Sequence, residues 1–123
     1  MAQDDGVLVY FNPNCSKCRG ARDILEERGV DADYYRYLDK HPSRRELERV
    51  MGMLGIDDPR QMMRTGERVY KDLVLDGAGR DALLDAMAEH PILIERPIVI
   101  RDDGRAVIGR PPSRVAELLA SDR

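Results

Sequence analysis

The sequence of 123 residues lacks the features of several large classes of protein. It has no tryptophan and two cysteines, and its apolar runs fall far short of the roughly 20 residues needed to cross a bilayer. The acidic, polar start, Met1–Gly6, has no apolar core and is not expected to be a secretory signal. Acidic residues outnumber basic ones by 23 to 20, and the net charge of −3 disfavours non-specific binding to nucleic acid. We therefore expect a cytoplasmic protein whose partners include neither nucleic acid nor a membrane.

What is present fits one folded domain over residues 1–123. Hydrophobic residues make up 42% of the chain and charged residues 35%, a balance that argues against disorder. A chain of this length can bury a single modest core. Seventeen of the 20 basic residues are arginine. Arginine binds oxyanions with a bidentate geometry that lysine cannot match, so the arginines are candidates for anion binding.

Hydrophobic periodicity predicts a strand, a helix and a second strand at the start of the chain. The run 7–11 is rich in strand-forming residues and ends in an Asn-Pro-Asn turn. The apolar spacing over residues 15–28 is helical and stops at Gly29, and residues 34–38 offer the second strand. This order is typical of a parallel βαβ unit.

The middle of the chain predicts a helical section. Ser43 and Glu46 form a capping-box pair at the start of a helix that Gly55 ends. Residues 57–71 lack clean periodicity, which predicts short helical turns and a mobile loop. A further helix is stopped by Pro91.

The end of the chain predicts a β-hairpin followed by a last helix. Strands 97–100 and 106–108 flank the turn-forming pair Asp103-Gly104, so they are expected to be antiparallel. Apolar residues at helical spacing over 115–119 give the last helix. A βαβ half, a helical insertion, a hairpin and a helix follow each other in the thioredoxin-like order. This order fits an α/β, thioredoxin-like fold, a small mixed sheet flanked by helices with a helical insertion. The periodicity alone leaves other α/β folds open, and the motifs narrow the choice.

Both cysteines lie where the first strand gives way to the first helix, in the motif Cys15-Ser-Lys-Cys18. A helix N-terminus carries unpaired N–H groups and a partial positive charge, and both favour thiolate over thiol at Cys15. Lys17 and Arg19 add positive potential, and a thiol of lowered pKa is nucleophilic at neutral pH. A CxxC pair at this position predicts a redox role. A zinc site that added the two histidines would match no common zinc spacing.

Three segments of the chain resemble the arsenate reductase family with the thioredoxin-like fold, a group that also contains the Spx-type regulators. They are YFNPNCSKCR over 10–19, HPILIERPIVI over 90–100 and VIGRPP over 107–112. The likeness covers nearly the whole chain, from residue 7 to about 119. It implies reduction of arsenate to arsenite without a bound cofactor or metal. It also implies glutathione or another thiol as reductant, and glutaredoxin or thioredoxin as partner.

The resemblance further implies which residues carry this reaction. The single essential cysteine of the family matches Cys15, and its three oxyanion-binding arginines match Arg64, Arg96 and Arg110. Two other arginines lie near the first of these in the same irregular stretch. The family also implies a cis bond before Pro97, facing the active cysteine. The physics supports such a set, because a thiolate approaches the doubly charged arsenate only where cations offset its charge.

Two positions depart from the arsenate reductases. Phe11 stands where they commonly have histidine, so any help from that histidine in lowering the thiol pKa is absent. Cys18 stands where they typically have serine or another residue without a thiol, which is similar to the Spx-type regulators. In an enzyme, Cys18 could resolve the adduct on Cys15. As an exposed second thiol, it would also oxidise in vitro without mechanistic meaning.

The motifs leave three functions and an inactive family member as interpretations. The first function is a thiol-dependent arsenate reductase, in which Cys18 or an external thiol releases arsenite from the adduct on Cys15. The second is an Spx-type redox-sensing regulator that binds RNA polymerase, and the third is a general thiol–disulfide reductase. We favour the first, because Arg110 matches the arsenate reductases and a CxxC pair is compatible with an enzyme.

Overall fold

The first strand of the chain lies in the interior of a four-stranded mixed sheet. In the computed structural model, which describes residues 6–120, the strands are β1 (Val7–Tyr10), β2 (Asp33–Tyr35), β3 (Ile98–Arg101) and β4 (Ala106–Ile108). Their order is β2-β1-β3-β4. β1 runs parallel to β2 and antiparallel to β3, and β3 pairs antiparallel with β4. The predicted parallel βαβ unit and the predicted hairpin are both confirmed.

Two helices pack with this sheet around one apolar core. They are α1 (Ser16–Glu27) and α5 (Ser113–Ala120), and they contact each other. Val7, Val9 and Phe11 enter the core because side chains alternate between the two faces of a strand. The other fully packed members are Cys18, Ala21, Leu25, Val99, Val115 and Leu118. The sheet and these helices form the first compact unit, which ends at Arg36 and resumes at Arg96.

Residues 37–95 form a second compact unit, and it is helical. Its helices are α2 (Arg44–Leu54), α3 (Arg68–Asp72) and α4 (Arg80–Glu89), with 3-10 helices at Pro59–Met62, Leu75–Gly77 and Pro91–Leu93. α2 contacts α4. This unit is the predicted helical insertion, and it follows β2 and precedes β3. The single domain over residues 1–123 stays a prediction, and the polar start at 1–5 lies outside the described residues.

Local sequence signals account for several of the helix ends. Ser43 Oγ accepts the N–H of Glu46 at 3.1 Å, and Gly55 ends α2 with a φ of 72°, a left-handed conformation that favours glycine. A complete capping box occurs instead at Asp58, whose side chain caps the following 3-10 helix while its N–H donates to Gln61 Oε1 at 3.3 Å. Short helical turns predicted over 57–71 are thus confirmed. Across residues 6–120, no helix is both long enough and apolar enough to cross a membrane.

The predicted second strand over residues 34–38 is partly wrong. β2 covers residues 33–35, and its parallel ladder ends with Tyr10 opposite Tyr35 because β1 ends there. One further bond joins the Phe11 N–H to the carbonyl of Tyr35 at 2.8 Å. The apolar pattern continues past the strand because Tyr37 is 1% exposed although it lies in a turn. Burial rather than strand structure therefore explains the last part of this pattern.

The hairpin is longer than its Asp103-Gly104 pair alone predicts. Four residues, 102–105, join β3 to β4. Gly104 has a φ of 94° and its N–H donates to the carbonyl of Arg101 at 3.0 Å. The N–H of Arg101 in turn donates to the carbonyl of Arg105 at 2.7 Å. The turn therefore lies where the sequence predicts it, inside a wider loop.

Candidate active site

Cys15 lies at the N-cap of α1, where the chain passes from an extended conformation into the helix. Its φ and ψ are −101° and 122°, and its carbonyl accepts a helical hydrogen bond from the N–H of Arg19 at 3.0 Å. The preceding turn is closed by the Cys15 N–H, which donates to the carbonyl of Asn12 at 3.0 Å. The side chain is half-buried and is not in a disulfide. The structure therefore places this thiol at the helix start that the sequence predicts.

The surroundings of Cys15 favour its thiolate. Burial raises the pKa of the thiol, but the backbone N–H and the thiol of Cys18, the N–H of Lys17 and the charge of Arg96 together hold that pKa below its ordinary value. The neutral thiol makes no capping hydrogen bond, because sulfur is a weak acceptor. The thiolate is a stronger acceptor for the same N–H groups. Cys15 therefore ionises more readily than an ordinary cysteine, and the thiolate is the nucleophilic form.

Cys18 has the opposite character, although it is one turn further along the same helix. Its side chain is 0% exposed, and its sulfur accepts the N–H of Asn12 at 3.5 Å. Burial, together with the negative charge of Cys15, raises the pKa of Cys18 to about 12. Cys18 is also a free thiol. The expectation of an exposed second thiol is thus wrong: Cys18, like Ala21 and Leu25, points into the core.

Arg96 is the residue at which the first unit resumes, two positions before β3 in the sequence. Its charge acts on both cysteines. It lowers the pKa of Cys15 and opposes the rise in the pKa of Cys18. The side chain is half-buried, where water screens a charge less than on the open surface. The bond between Arg96 and Pro97 is cis, as the family resemblance implies. The geometry thus brings a guanidinium within electrostatic reach of the reactive thiol.

Arg110 is bound to the backbone of this same arginine. Its Nη1 donates to the carbonyl oxygen of Arg96 at 3.2 Å. The neighbouring Gly109 donates its N–H to the carbonyl of Pro97 at 2.8 Å, which ties the end of β4 to the start of β3. The bond between Arg110 and Pro111 is also cis, which the sequence analysis did not predict. The segments that carry the two arginines are therefore held side by side.

Arg64 belongs to the second unit and makes its contacts there. Its Nη2 lies 2.7 Å from Glu67 Oε2, and its Nη1 donates to the carbonyl of Ile92 at 3.5 Å. Its backbone N–H donates to the carbonyl of Leu93 at 2.7 Å. These contacts fix the segment and give the guanidinium an acidic partner. A role for Arg64 in oxyanion binding stays a prediction.

The two other arginines of this stretch have different surroundings. Arg60 Nη2 donates to three carbonyl oxygens, those of Leu75, Asp76 and Ala78, at 2.7 to 2.9 Å. Arg60 Nε also donates to Tyr70 Oη at 2.9 Å. The side chain of Arg68, by contrast, is 91% exposed. Arg60 is therefore a structural residue of the second unit.

Phe11 supplies packing rather than a titratable group beside the thiols. Its ring is 6% exposed and meets the ring of Tyr34 edge to face, with centroids 5.2 Å apart. The guanidinium carbon of Arg22 lies 5.6 Å from the Phe11 ring centroid, within the range of a cation–π interaction. The polar contact to the CxxC pair comes instead from the backbone N–H of Asn12. Sequence analysis missed this donor, although the Asn-Pro-Asn turn is its signal.

Metal ligation receives no support from the described part of the chain. Across residues 6–120, no three His, Cys, Asp or Glu side chains are grouped as metal ligands would be. The site itself presents two thiols and the guanidinium group of Arg96. Fold and site together define a class: a mixed sheet whose first helix begins at a thiolate-favouring cysteine.

Proteins of similar sequence match this chain over nearly their whole length. A model of the ArsC family matches residues 10–118. An arsenate reductase of Haemophilus influenzae is 48% identical over 115 residues, which cover 92% of this chain and 98% of that protein. An arsenate reductase of Neisseria meningitidis serogroup A is 44% identical over 115 residues, which cover 92% of this chain and 97% of that protein.

A solved structure gives the same result for the fold. The arsenate reductase from Vibrio cholerae superimposes with a TM-score of 0.88 at 45% identity, covering 94% of this chain and 98% of that one. The chain therefore belongs to the ArsC family, has the predicted thioredoxin-like fold and is an arsenate reductase-like enzyme.

Proposed function

We propose that the protein reduces arsenate to arsenite and that Cys15 is the attacking thiol. The observation that carries this proposal is the low pKa of Cys15 at the start of α1, in the field of Arg96. The choice of arsenate as the substrate rests on the relatives, which are named arsenate reductases. A nucleophilic thiol beside fixed cations suits an anionic electrophile, and a helix N-terminus adds backbone donors to the same place.

In the first step the Cys15 sulfur replaces one oxygen of the bound oxyanion. The thiolate and two protons combine with HAsO₄²⁻, a sulfur–arsenic bond forms, an arsenic–oxygen bond breaks, and water leaves. Arg96 and Arg110 donate bidentate hydrogen bonds to the remaining oxygens and offset their negative charge. Arg64 is the third proposed oxyanion ligand, and this assignment rests on its match to the family motif. Arsenic stays pentavalent in this adduct.

In the second step another thiol attacks the sulfur of Cys15. A disulfide forms, the sulfur–arsenic bond breaks, and its electron pair remains on arsenic, which leaves as trivalent arsenite. Each sulfur is oxidised by one electron and arsenic is reduced by two. A glutaredoxin or thioredoxin then reduces the disulfide, so the reaction needs thiols but no bound cofactor. The free cysteines fit a reducing compartment, and we place the reaction in the cytoplasm.

An external thiol such as glutathione is the better candidate for the second step. Cys18 is fully buried and its pKa is about 12, so it is protonated and a poor nucleophile at neutral pH. Its proton instead stabilises the Cys15 thiolate. Cys18→Ser should therefore keep most activity with glutathione and glutaredoxin. If Cys18→Ser lost its activity with thioredoxin but kept its activity with glutathione, Cys18 would instead have the resolving role.

The asymmetric cysteine pair also favours a second candidate function, thiol–disulfide exchange without arsenic. One low-pKa thiol and one buried thiol on the same turn are suited to forming and releasing a mixed disulfide. The two functions share Cys15 and differ in the electrophile. Only arsenate reduction requires the oxyanion-binding arginines.

An arsenate-reduction assay tests the proposal and separates the two candidates. The protein is supplied with arsenate and, in separate reactions, with glutathione plus glutaredoxin or with thioredoxin and its reductase. We expect arsenite to form with at least one donor, and Cys15→Ser to abolish it. Reduction of a disulfide substrate without arsenite formation would support the second candidate and overturn the first.

A further inference from the structure

The backbone of the segment that carries Arg110 is packed closely against the side chains of Pro97 and Val115. A Cβ atom built on Gly109 would lie 3.0 Å from Pro97 Cγ and 3.1 Å from Val115 Cγ2. Both neighbours are buried, so neither has open space to move into. Separations this short are well inside ordinary carbon–carbon contact. A side chain at position 109 would therefore require Pro97 or Val115 to move by a few tenths of an ångström.

A second close contact joins the same segment to the helix of the reactive thiol. A Cβ atom on Gly20, in α1, would lie 3.2 Å from Cγ and 3.6 Å from Cβ of Pro112. Gly20 lies two residues after Cys18 in α1, and Pro112 lies two residues after Arg110. The stretch 109–112 is thus held by Pro97 at one end and by α1 at the other.

Space rather than backbone conformation explains glycine at both positions. Neither Gly20 nor Gly109 has a positive φ, whereas Gly55, which ends α2, has a φ of 72°. Alanine is therefore conformationally allowed at positions 20 and 109. Its effect there comes from the added methyl group, which displaces the neighbouring segment. At position 109 the buried neighbours Pro97 and Val115 have little room to absorb it, whereas at position 20 the methyl group meets the half-buried ring of Pro112.

We propose that Gly20 and Gly109 are positioning residues that set the place of the Arg110 guanidinium relative to Cys15. The proposal rests on the proposed function, since it assigns these glycines to the oxyanion site. An added methyl group at either position shifts the stretch 109–112 by a few tenths of an ångström. That shift lengthens the 3.2 Å bond from Arg110 Nη1 to the Arg96 carbonyl and moves the anion's donors.

Protection of Cys15 by arsenate measures this placement without turnover. Iodoacetamide alkylates Cys15, mass spectrometry follows the product, and the arsenate concentration that halves the rate is recorded. We expect Gly109→Ala to raise that concentration about tenfold and Gly20→Ala about threefold, because small displacements at a site are costly. Alkylation without arsenate reports the thiolate itself and should change little in either variant.

Two further variants separate positioning from general destabilisation. Gly52→Ala is the matched control for Gly20→Ala, because Gly52 also lies in a helix but an added Cβ there meets nothing within 4 Å. Both substitutions favour helix, so only Gly20→Ala should weaken protection. Pro112→Ala removes the ring atom that the new methyl group meets. The double variant Gly20→Ala/Pro112→Ala should therefore recover protection relative to Gly20→Ala.

The outcomes distinguish this proposal from the function on which it rests. Wild-type Cys15 that arsenate does not protect would overturn the proposed oxyanion site and the positioning role together. Protection of the wild type, with equal protection of Gly20→Ala and Gly52→Ala, would overturn the positioning role alone. If Gly109→Ala fails to fold, Gly20→Ala and its rescue by Pro112→Ala decide the question.

Discussion

The two units of the molecule use arginine in different ways. In the first unit, Arg96 lowers the pKa of a thiol and Arg110 is bound to the backbone beside it. In the second unit, Arg60 donates to three carbonyl oxygens, and Arg44 pairs with two aspartates of α4. An abundance of arginine thus says little about anion binding by itself. The neighbours of each guanidinium distinguish arginines that are candidates for the oxyanion site from those that stabilise the fold.

The sharpest test of this comparison removes, one at a time, the two arginines of the first unit that are assigned to the oxyanion site. Arg96→Ala and Arg110→Ala should each lower kcat/KM for arsenate about 100-fold, near 2.7 kcal/mol, as expected for the loss of a charge-stabilising donor. The melting temperature should change little. Steady-state kinetics and thermal unfolding measure both quantities, with Arg68→Ala as a control because that side chain is 91% exposed. Wild-type kcat/KM in either variant would remove that arginine from the site.

Arg64 tests whether the difference between the two units holds, because it lies in the second unit and its match to the family motif assigns it to the oxyanion site. Arg64→Ala should raise KM for arsenate about tenfold through loss of one charged donor. Glu67→Gln, which removes the acidic partner 2.7 Å away, should leave the arginine in place and have a smaller effect. A tenfold loss in Arg60→Ala or Arg68→Ala, with Arg64→Ala unaffected, would show that another arginine fills this role.

Arg60 should show the complementary pattern. Arg60→Ala removes one donor from each of three carbonyl oxygens and from the Tyr70 hydroxyl, so it should lower the free energy of unfolding in urea. KM for arsenate should stay near the wild-type value. Arg68→Ala is again the matched control and should unfold like the wild type. Equal unfolding midpoints for the two variants would contradict the structural role of Arg60.

The parts of the fold that the sequence predicts well depend on local signals. The strand–turn–helix at Cys15, the cap at Ser43 and the turn at Gly104 each follow from a few neighbouring residues. Burial of Cys18 was also readable, because Cys18, Ala21 and Leu25 fall at i, i+3 and i+7 of one helix face. The expectation of an exposed Cys18 followed from the reactivity of a CxxC pair, and it overlooked the helical spacing that places Cys18 on the buried face.

Contacts between distant segments could not be predicted in the same way. The bond from Arg110 to the Arg96 carbonyl joins residues 14 positions apart, and the three carbonyls bound by Arg60 lie 15 to 18 positions away. No periodicity or motif encodes such pairs in a single sequence. The motif match identified candidate arginines, whereas their partners became visible only in the folded chain.

The buried thiol of the first unit should have the smallest effect on arsenate turnover, and the sign of its effect on stability follows from the pKa of Cys18. The folded chain raises that pKa to about 12, whereas an unfolded cysteine titrates near 8.5. The stabilising contribution is therefore complete below about pH 8.5 and is lost as the pH rises toward 12, because the unfolded chain releases the proton first. Between pH 8 and 10.5, wild-type stability should fall by about 2.5 kcal/mol more than that of Cys18→Ala. Urea unfolding at both pH values measures the difference, and the comparison between slopes cancels the loss of packing in the variant. Equal slopes would mean that Cys18 titrates normally and is reachable as a nucleophile, which would return the resolving role to it.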